Sequence, residues 1–135
     1  MQEKDLQYGT EIIVEPGECI YLAGDELSEK PVYYIIAGLV KIEYGLANSM
    51  KFPLYLFPEA IFGLVDPFLD INRLTSAYSV ERSILYCWDV ENFDLASSVS
   101  WELALATITG LTQKLRILNA EFGAKLGLTE SAIES

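Results

Sequence analysis

The sequence predicts a mainly β domain followed by a long C-terminal helix. Three observations carry that prediction. Through the first two-thirds, short apolar runs are separated by turn residues at the spacing of a sandwich or barrel. At Asp89 the pattern changes, and a helical repeat follows. The chain has 135 residues, is 51% hydrophobic and carries eight Tyr, six Phe and two Trp, enough for the core of one domain.

Each element has its own signal. Ile12, Ile13 and Val14 form a strand closed by the turn pair Pro16-Gly17. Cys19 to Ala23 forms a second, closed by Gly24-Asp25. Val32 to Ile36 is apolar throughout, as a strand covered on both faces is. After Gly38, Val40, Ile42 and Tyr44 alternate with Lys41 and Glu43, leaving one face wet. Phe52, Leu54 and Leu56 alternate in the same way, and Pro53 assigns them to a sheet edge because it has no N–H for a neighbour. Pro58 to Asn72 is irregular and holds Gly63, Pro67, Asp66 and Asp70. Strand character resumes over Leu74 to Val80 and Ser83 to Trp88. Tyr33, Tyr34, Tyr78, Tyr86 and Trp88, at strand spacing, read as core aromatics.

Asp89 is placed to cap a short helix through Ala96. From about Ser100 to Leu126 there is no proline. Ile108, Leu111, Leu115, Leu118 and Phe122 are spaced by 3, 4, 3 and 4 residues, an apolar seam. Such a seam fits either the chain's own sheet or a second copy in a coiled coil. A helix of about 40 Å is longer than a small domain needs, which favours the second copy. Gly110 and Gly123 weaken it, so packing must stabilise it.

Composition narrows the chemistry. Twenty acidic residues against nine basic ones give a net charge of -11, which repels nucleic-acid phosphates and anionic lipid. Without histidine there is no Ser-His-Asp or Cys-His catalysis, and a cupin-like enzyme loses its metal ligands. Cys19 and Cys87 are far apart and lack zinc-site spacing; both fall in apolar strand runs, where thiols are buried and inert. No catalytic residue, metal or cofactor is expected. The charged start, Met1 to Gln7, has no apolar signal segment, and no apolar run is long enough to span a membrane. The expected setting is the cytoplasm, with no membrane partner.

The order of these elements resembles the sensor domain of the Crp/Fnr family of bacterial transcription regulators. The resemblance is carried by Gly17-Glu18, Ala23-Gly24-Asp25, the hairpin Tyr33 to Ile42 around Gly38, Ile61-Phe62-Gly63, and the strands from Arg73 to Trp88 with Phe93 beyond them. It implies a jelly-roll-like β-roll, the cyclic-nucleotide-binding-domain fold, followed by a dimerisation helix. Residues 1–97 would form the roll with its short helix and 98–127 the dimer helix. Residues 128–135 would open a DNA-binding domain that lies largely outside this chain, so DNA contact is expected only through that part.

The resemblance also gives a candidate effector pocket: Gly63, Leu64, Arg73, Leu74, Thr75, Leu118 and Asn119. In cyclic-nucleotide binders of this fold a Gly-Glu pair holds the ribose and an Arg-Ser/Thr-Ala run holds the phosphate. Here Leu64 stands for the glutamate, Leu74 for the hydroxyl residue and Thr75 for the alanine. Each lost hydrogen bond in a dry site costs about 1–3 kcal/mol, which argues against tight cyclic AMP binding. Arg73 reads either as a salt-bridge partner of Asp66 or Asp70, or as the anchor of an anionic, partly apolar effector. An aromatic effector and a ligand-free structural dimer module remain open beside it. Leu118 suits a dry seam or an apolar ligand, and Asn119 is a surface amide or a hydrogen-bonding contact.

Overall fold

The computed structural model describes residues 6–26, 31–45 and 51–125, apart from the side chains of 68, 113–115 and 117–125. Among the described residues, eight strands are followed by, or interleaved with, three helices: β1 (Thr10–Val14), β2 (Cys19–Tyr21), β3 (Val32–Ala37), β4 (Val40–Gly45), β5 (Lys51–Leu56), β6 (Ile61–Phe62), α1 (Val65–Leu69), β7 (Thr75–Ser79), β8 (Ser83–Trp88), α2 (Val90–Val99) and α3 (Trp101–Lys125). Two four-stranded sheets run in the orders β1-β8-β3-β6 and β2-β7-β4-β5, with antiparallel pairings. This is the β-roll with C-terminal helices that the sequence predicts.

The strand alternation decides which core each residue joins. Tyr33 and Ile35 of β3 face the space between the sheets, with Ile42, Leu54, Phe62 and Leu85. Val32 and Tyr34 face the other way and pack with Trp88, Phe93, Ala96 and Leu103 from β8 and the helices. The continuous apolar run of β3 is thus covered on both faces, as expected. Phe52, Leu54 and Leu56 are buried while their neighbours are exposed, and β5 closes its sheet as an edge. Pro53 therefore sits where its missing N–H leaves no ladder bond unmade.

The chain changes sheet six times, and two of these crossings, between β3 and β4 and between β7 and β8, are made at corners. These corners are stacked on each other. Val80 N–H donates to the Leu39 carbonyl at 2.8 Å, and Leu39 N–H donates to Ser83 Oγ at 3.2 Å. Gly38 makes the turn at φ +106°, and a Cβ there would lie 2.6 Å from Ser83 Cα. Only glycine fits both the angle and the approach.

The two longer helices, α2 and α3, begin on side-chain caps. Asp89 Oδ1 accepts from Asn92 N–H at 2.7 Å and starts α2, which continues to Val99, three residues beyond the expected end. Ser100 ends α2 by donating its N–H to the Ala96 carbonyl at 3.0 Å. Its Oγ accepts from Leu103 N–H at 3.1 Å and starts α3. The irregular stretch Pro58 to Asn72 contains β6 and α1, elements too short to show a period in sequence.

Gly38→Ala is expected to lower stability by about 3 kcal/mol, from positive-φ strain and the clash with the Ser83 backbone. Urea unfolding followed by tryptophan fluorescence checks this; an unchanged midpoint would mean that the corner opens to admit the methyl group.

Candidate functional site

The link from β6 to α1 carries Gly63 at φ +74°, where a Cβ would lie 3.0 Å from Arg73 Nη1 and 3.3 Å from the Pro31 carbonyl. The bare backbone lets the arginine approach. Arg73 is only 3% exposed. Nη1 donates to the Gly63 carbonyl at 2.8 Å and Nη2 to the Pro31 carbonyl at 2.6 Å. Asp66 Oδ2 lies 3.5 Å from Nη1, and the guanidinium sits 4.1 Å from the centre of the Tyr21 ring. The Arg73 main chain is held as well: its carbonyl accepts from Gly24 N–H at 2.7 Å, and its N–H donates to the Asp25 carbonyl at 3.4 Å.

Of the two carboxylates considered from sequence, Asp66 is the one in the pair, and it is 6% exposed. The arginine's donors are spent on the protein's own oxygens. Turning them to a bound anion would break two charge-assisted hydrogen bonds of about 1.5–3 kcal/mol each, besides the ion pair.

Four of the expected pocket residues do converge. Gly63, Leu64, Leu74 and Thr75 line a cleft of about 530 Å³ together with Tyr21, Ile42, Tyr44, Phe62 and Leu111 of α3. Arg73 lies behind this wall, stacked on Tyr21. Leu118 and Asn119 lie on α3, but their side chains are outside those described. Tyr21, Tyr44 and Phe62 escaped the sequence reading of the site. Tyr21 and Tyr44 carry the apolar-in alternation of β2 and β4, so nothing separated them from ordinary core residues.

Burial pushes the Tyr21 hydroxyl up to about 12, against smaller downward effects of its hydrogen bond to Thr75 and of Arg73. Burial likewise pushes Tyr33 up to about 12. Burial, and then the Asp66 charge, raise Tyr44. Cys19 is exposed, contrary to the buried thiol expected of an apolar run, because β2 is short and Cys19 faces out at its start. Cys87 is half-buried, its thiol donating to the Thr10 carbonyl at 3.3 Å. Desolvation raises both thiols, and both are free. Among the described residues, no three Cys, Asp or Glu side chains are grouped to hold a metal, and no helix is long and apolar enough to cross a membrane.

A second, almost wholly apolar groove of about 460 Å³ runs between α1, α2 and α3, and shares Leu64, Val65 and Leu111 with the cleft. On α3, Ile108 is 64% exposed and Leu111 also faces out. Trp101, 78% exposed, and Leu105 continue this row back to the start of the helix. The seam expected from sequence begins at Ile108. The 4 and 3 spacing of Trp101, Leu105 and Ile108 is the sequence signal for this extension. The remaining seam positions, Leu115, Leu118 and Phe122, lie among the side chains outside those described.

A two-sheet roll with a glycine-led cassette between β6 and β7, and a long helix laid across it, is the cyclic-nucleotide-binding-domain fold. Solved structures with this fold include the catabolite activator protein of Thermus thermophilus, with a TM-score of 0.72 and 21% identity over 90% of this chain. The c-di-GMP-responsive global regulator CLP of Xanthomonas campestris has a TM-score of 0.71 and 17% identity over 91% of this chain and 61% of its own. A transcriptional regulator from Thermotoga maritima matches at 0.68 and 19% identity, over 91% of this chain and 96% of its own. These neighbours are regulators of the Crp/Fnr family. The chain spans 57% of the length of the Thermus thermophilus protein. Comparison with protein-family models and with curated proteins gives no match.

Two outcomes test the site's physics. Arg73→Met strands a buried Asp66 carboxylate and two carbonyls, and is expected to cost about 3–5 kcal/mol in urea unfolding; adding Asp66→Leu recovers part of the loss. If the arginine variant alone costs less than 1 kcal/mol, estimated on the scale of a surface pair, the pair is no strut. The second outcome is alkaline. The folded state keeps Tyr21 and Tyr33 neutral, so their contribution is intact below pH ~10 and is lost as pH rises through about 12. Circular dichroism should show the Tyr21→Phe, Tyr33→Phe double variant unfolding at higher pH than the parent; equal midpoints would contradict the assignment.

Proposed function

We propose that the chain is the effector-sensing and dimerisation part of a Crp/Fnr-type transcription regulator. In this reading residues 1–97 sense, 98–127 pair with a second copy, and 128–135, outside the described residues, lead into a DNA-binding domain. The protein works in the cytoplasm, and its DNA contact is made outside this acidic roll. It performs no catalysis. The observation that carries the reading is the double role of Leu111. It closes the cleft against the cassette and also lies on the outward apolar row of α3. A molecule entering the cleft therefore touches the same residue that a partner helix would cover.

Tight cyclic AMP binding is not part of this function. Leu64 and Leu74 give no hydrogen bond to ribose or phosphate, and the Arg73 donors are already engaged. That engagement also favours a second reading, a structural dimer module whose cassette is a relic. The two differ in whether anything binds the cleft, and they share the dimer.

Dimerisation is tested by Ile108→Asp. The side chain is exposed within one copy, so the fold is retained, while burial of a charge on each side of a seam costs several kcal/mol. Sedimentation is expected to show a dimer for the parent and a monomer for the variant, with unchanged circular dichroism. A parent that stays monomeric at high concentration removes the dimer from the proposal.

A further inference from the structure

We propose that the cleft between the cassette and α3 takes an uncharged aromatic small molecule of one or two fused rings with a single polar substituent. This rests on the sensor reading and names its ligand class. Three observations carry it. Among the described residues the lining includes no lysine or arginine, and its one carboxylate, Asp66, is paired with Arg73. The nearby arginine lies behind the wall, with Asp66, the Gly63 and Pro31 carbonyls and the Tyr21 ring around its guanidinium. An anion entering the cleft would thus meet a carboxylate and, among the described residues, no available cation, in a chain whose net charge is -11.

The walls, in contrast, suit a ring. Tyr21, Tyr44 and Phe62 present aromatic side chains, and Ile42, Leu64 and Leu74 present aliphatic ones. A volume of about 530 Å³ is in the range of small-ligand sites and holds two fused rings with room for their substituent. Polar side-chain groups are few among the described residues: the Asp66 carboxylate, held by Arg73, the hydroxyls of Tyr21 and Thr75, bonded to each other, and that of Tyr44. Tyr44 keeps its proton at neutral pH, so it donates a hydrogen bond to a single polar substituent. A ligand with several charged or hydroxyl groups would leave most of them unpaired against leucine and phenylalanine.

The test is titration calorimetry on the 135-residue chain with 2-naphthol, 2-naphthoate and cyclic AMP. The first two share a ring system and differ in charge. The expected result is that 2-naphthol binds at least about tenfold more tightly than 2-naphthoate, a difference of ~1.4 kcal/mol. Leu74→Trp narrows the cleft from a position that is 63% exposed, so the fold is kept, and it should weaken 2-naphthol by about tenfold or more. Tyr44→Phe, which keeps the ring, should weaken it several-fold. Tighter binding of 2-naphthoate overturns the neutral-ligand inference and leaves the sensor reading standing. Micromolar cyclic AMP overturns the inference and the exclusion of cyclic AMP together. Binding of 2-naphthol indifferent to Leu74→Trp moves it out of this cleft and overturns the inference. If all three compounds fail to bind, the inference and the sensor reading both fall, and the dimer module remains.

Discussion

A buried cation has to be answered from all sides, and the folding of the cassette is organised around that requirement. Arg73 is out of water, so its guanidinium must find oxygens. It finds one on each of two segments that sequence does not connect, Pro31 ahead of β3 and Gly63 after β6, and a carboxylate on α1. The Gly63 conformation, the burial of Asp66 and the placement of Tyr21 over the guanidinium plane all follow from satisfying it. Replacing one partner leaves a charge or a carbonyl stranded, so these residues succeed or fail as a unit.

Much of the roll was legible because strand alternation is a local signal. β3 was readable as a strand buried on both sides from five apolar residues in a row, and β5 as an edge from one proline. The Asp89 cap and the long helix were readable from side-chain chemistry and from the spacing of apolar residues. The site was legible only as a set of positions. That Gly63, Leu64, Leu74 and Thr75 share a cleft follows from the cassette folding back on itself. The direction in which Arg73 points could not be read from sequence. A surface ion pair and a ligand anchor use the same residue; only burial and three-dimensional partners separate them. β6 and α1 were missed because two residues and five residues carry no period.

The two hydrophobic clusters share three strands, β3, β6 and β8, and this ties the helices to the roll. Tyr33 and Ile35 belong to the space between the sheets, and Val32 and Tyr34 to the layer beneath the helices. Trp88 adds a polar anchor to the outer layer by donating its indole N–H to the Gln7 carbonyl at 2.6 Å, while Phe93 packs edge-on against its ring at 5.3 Å. A change in either layer is therefore felt in the other across the thickness of a single strand.

Ser100 has a mechanical consequence. It caps one helix and starts the next, so the backbone ladder is interrupted there and α3 takes its direction from a single residue. Close to that joint, Leu103 is fully buried, while Leu105 and Ile108 are exposed. The helix is thus a lever with its bearing at one end. Its 25 residues make an arm of about 37 Å at 1.5 Å per residue, so a swing of only about 5° at the bearing carries the tip about 3 Å. At Leu111 the arm is less than half as long, so a displacement at the cleft wall is more than doubled at the end of the helix.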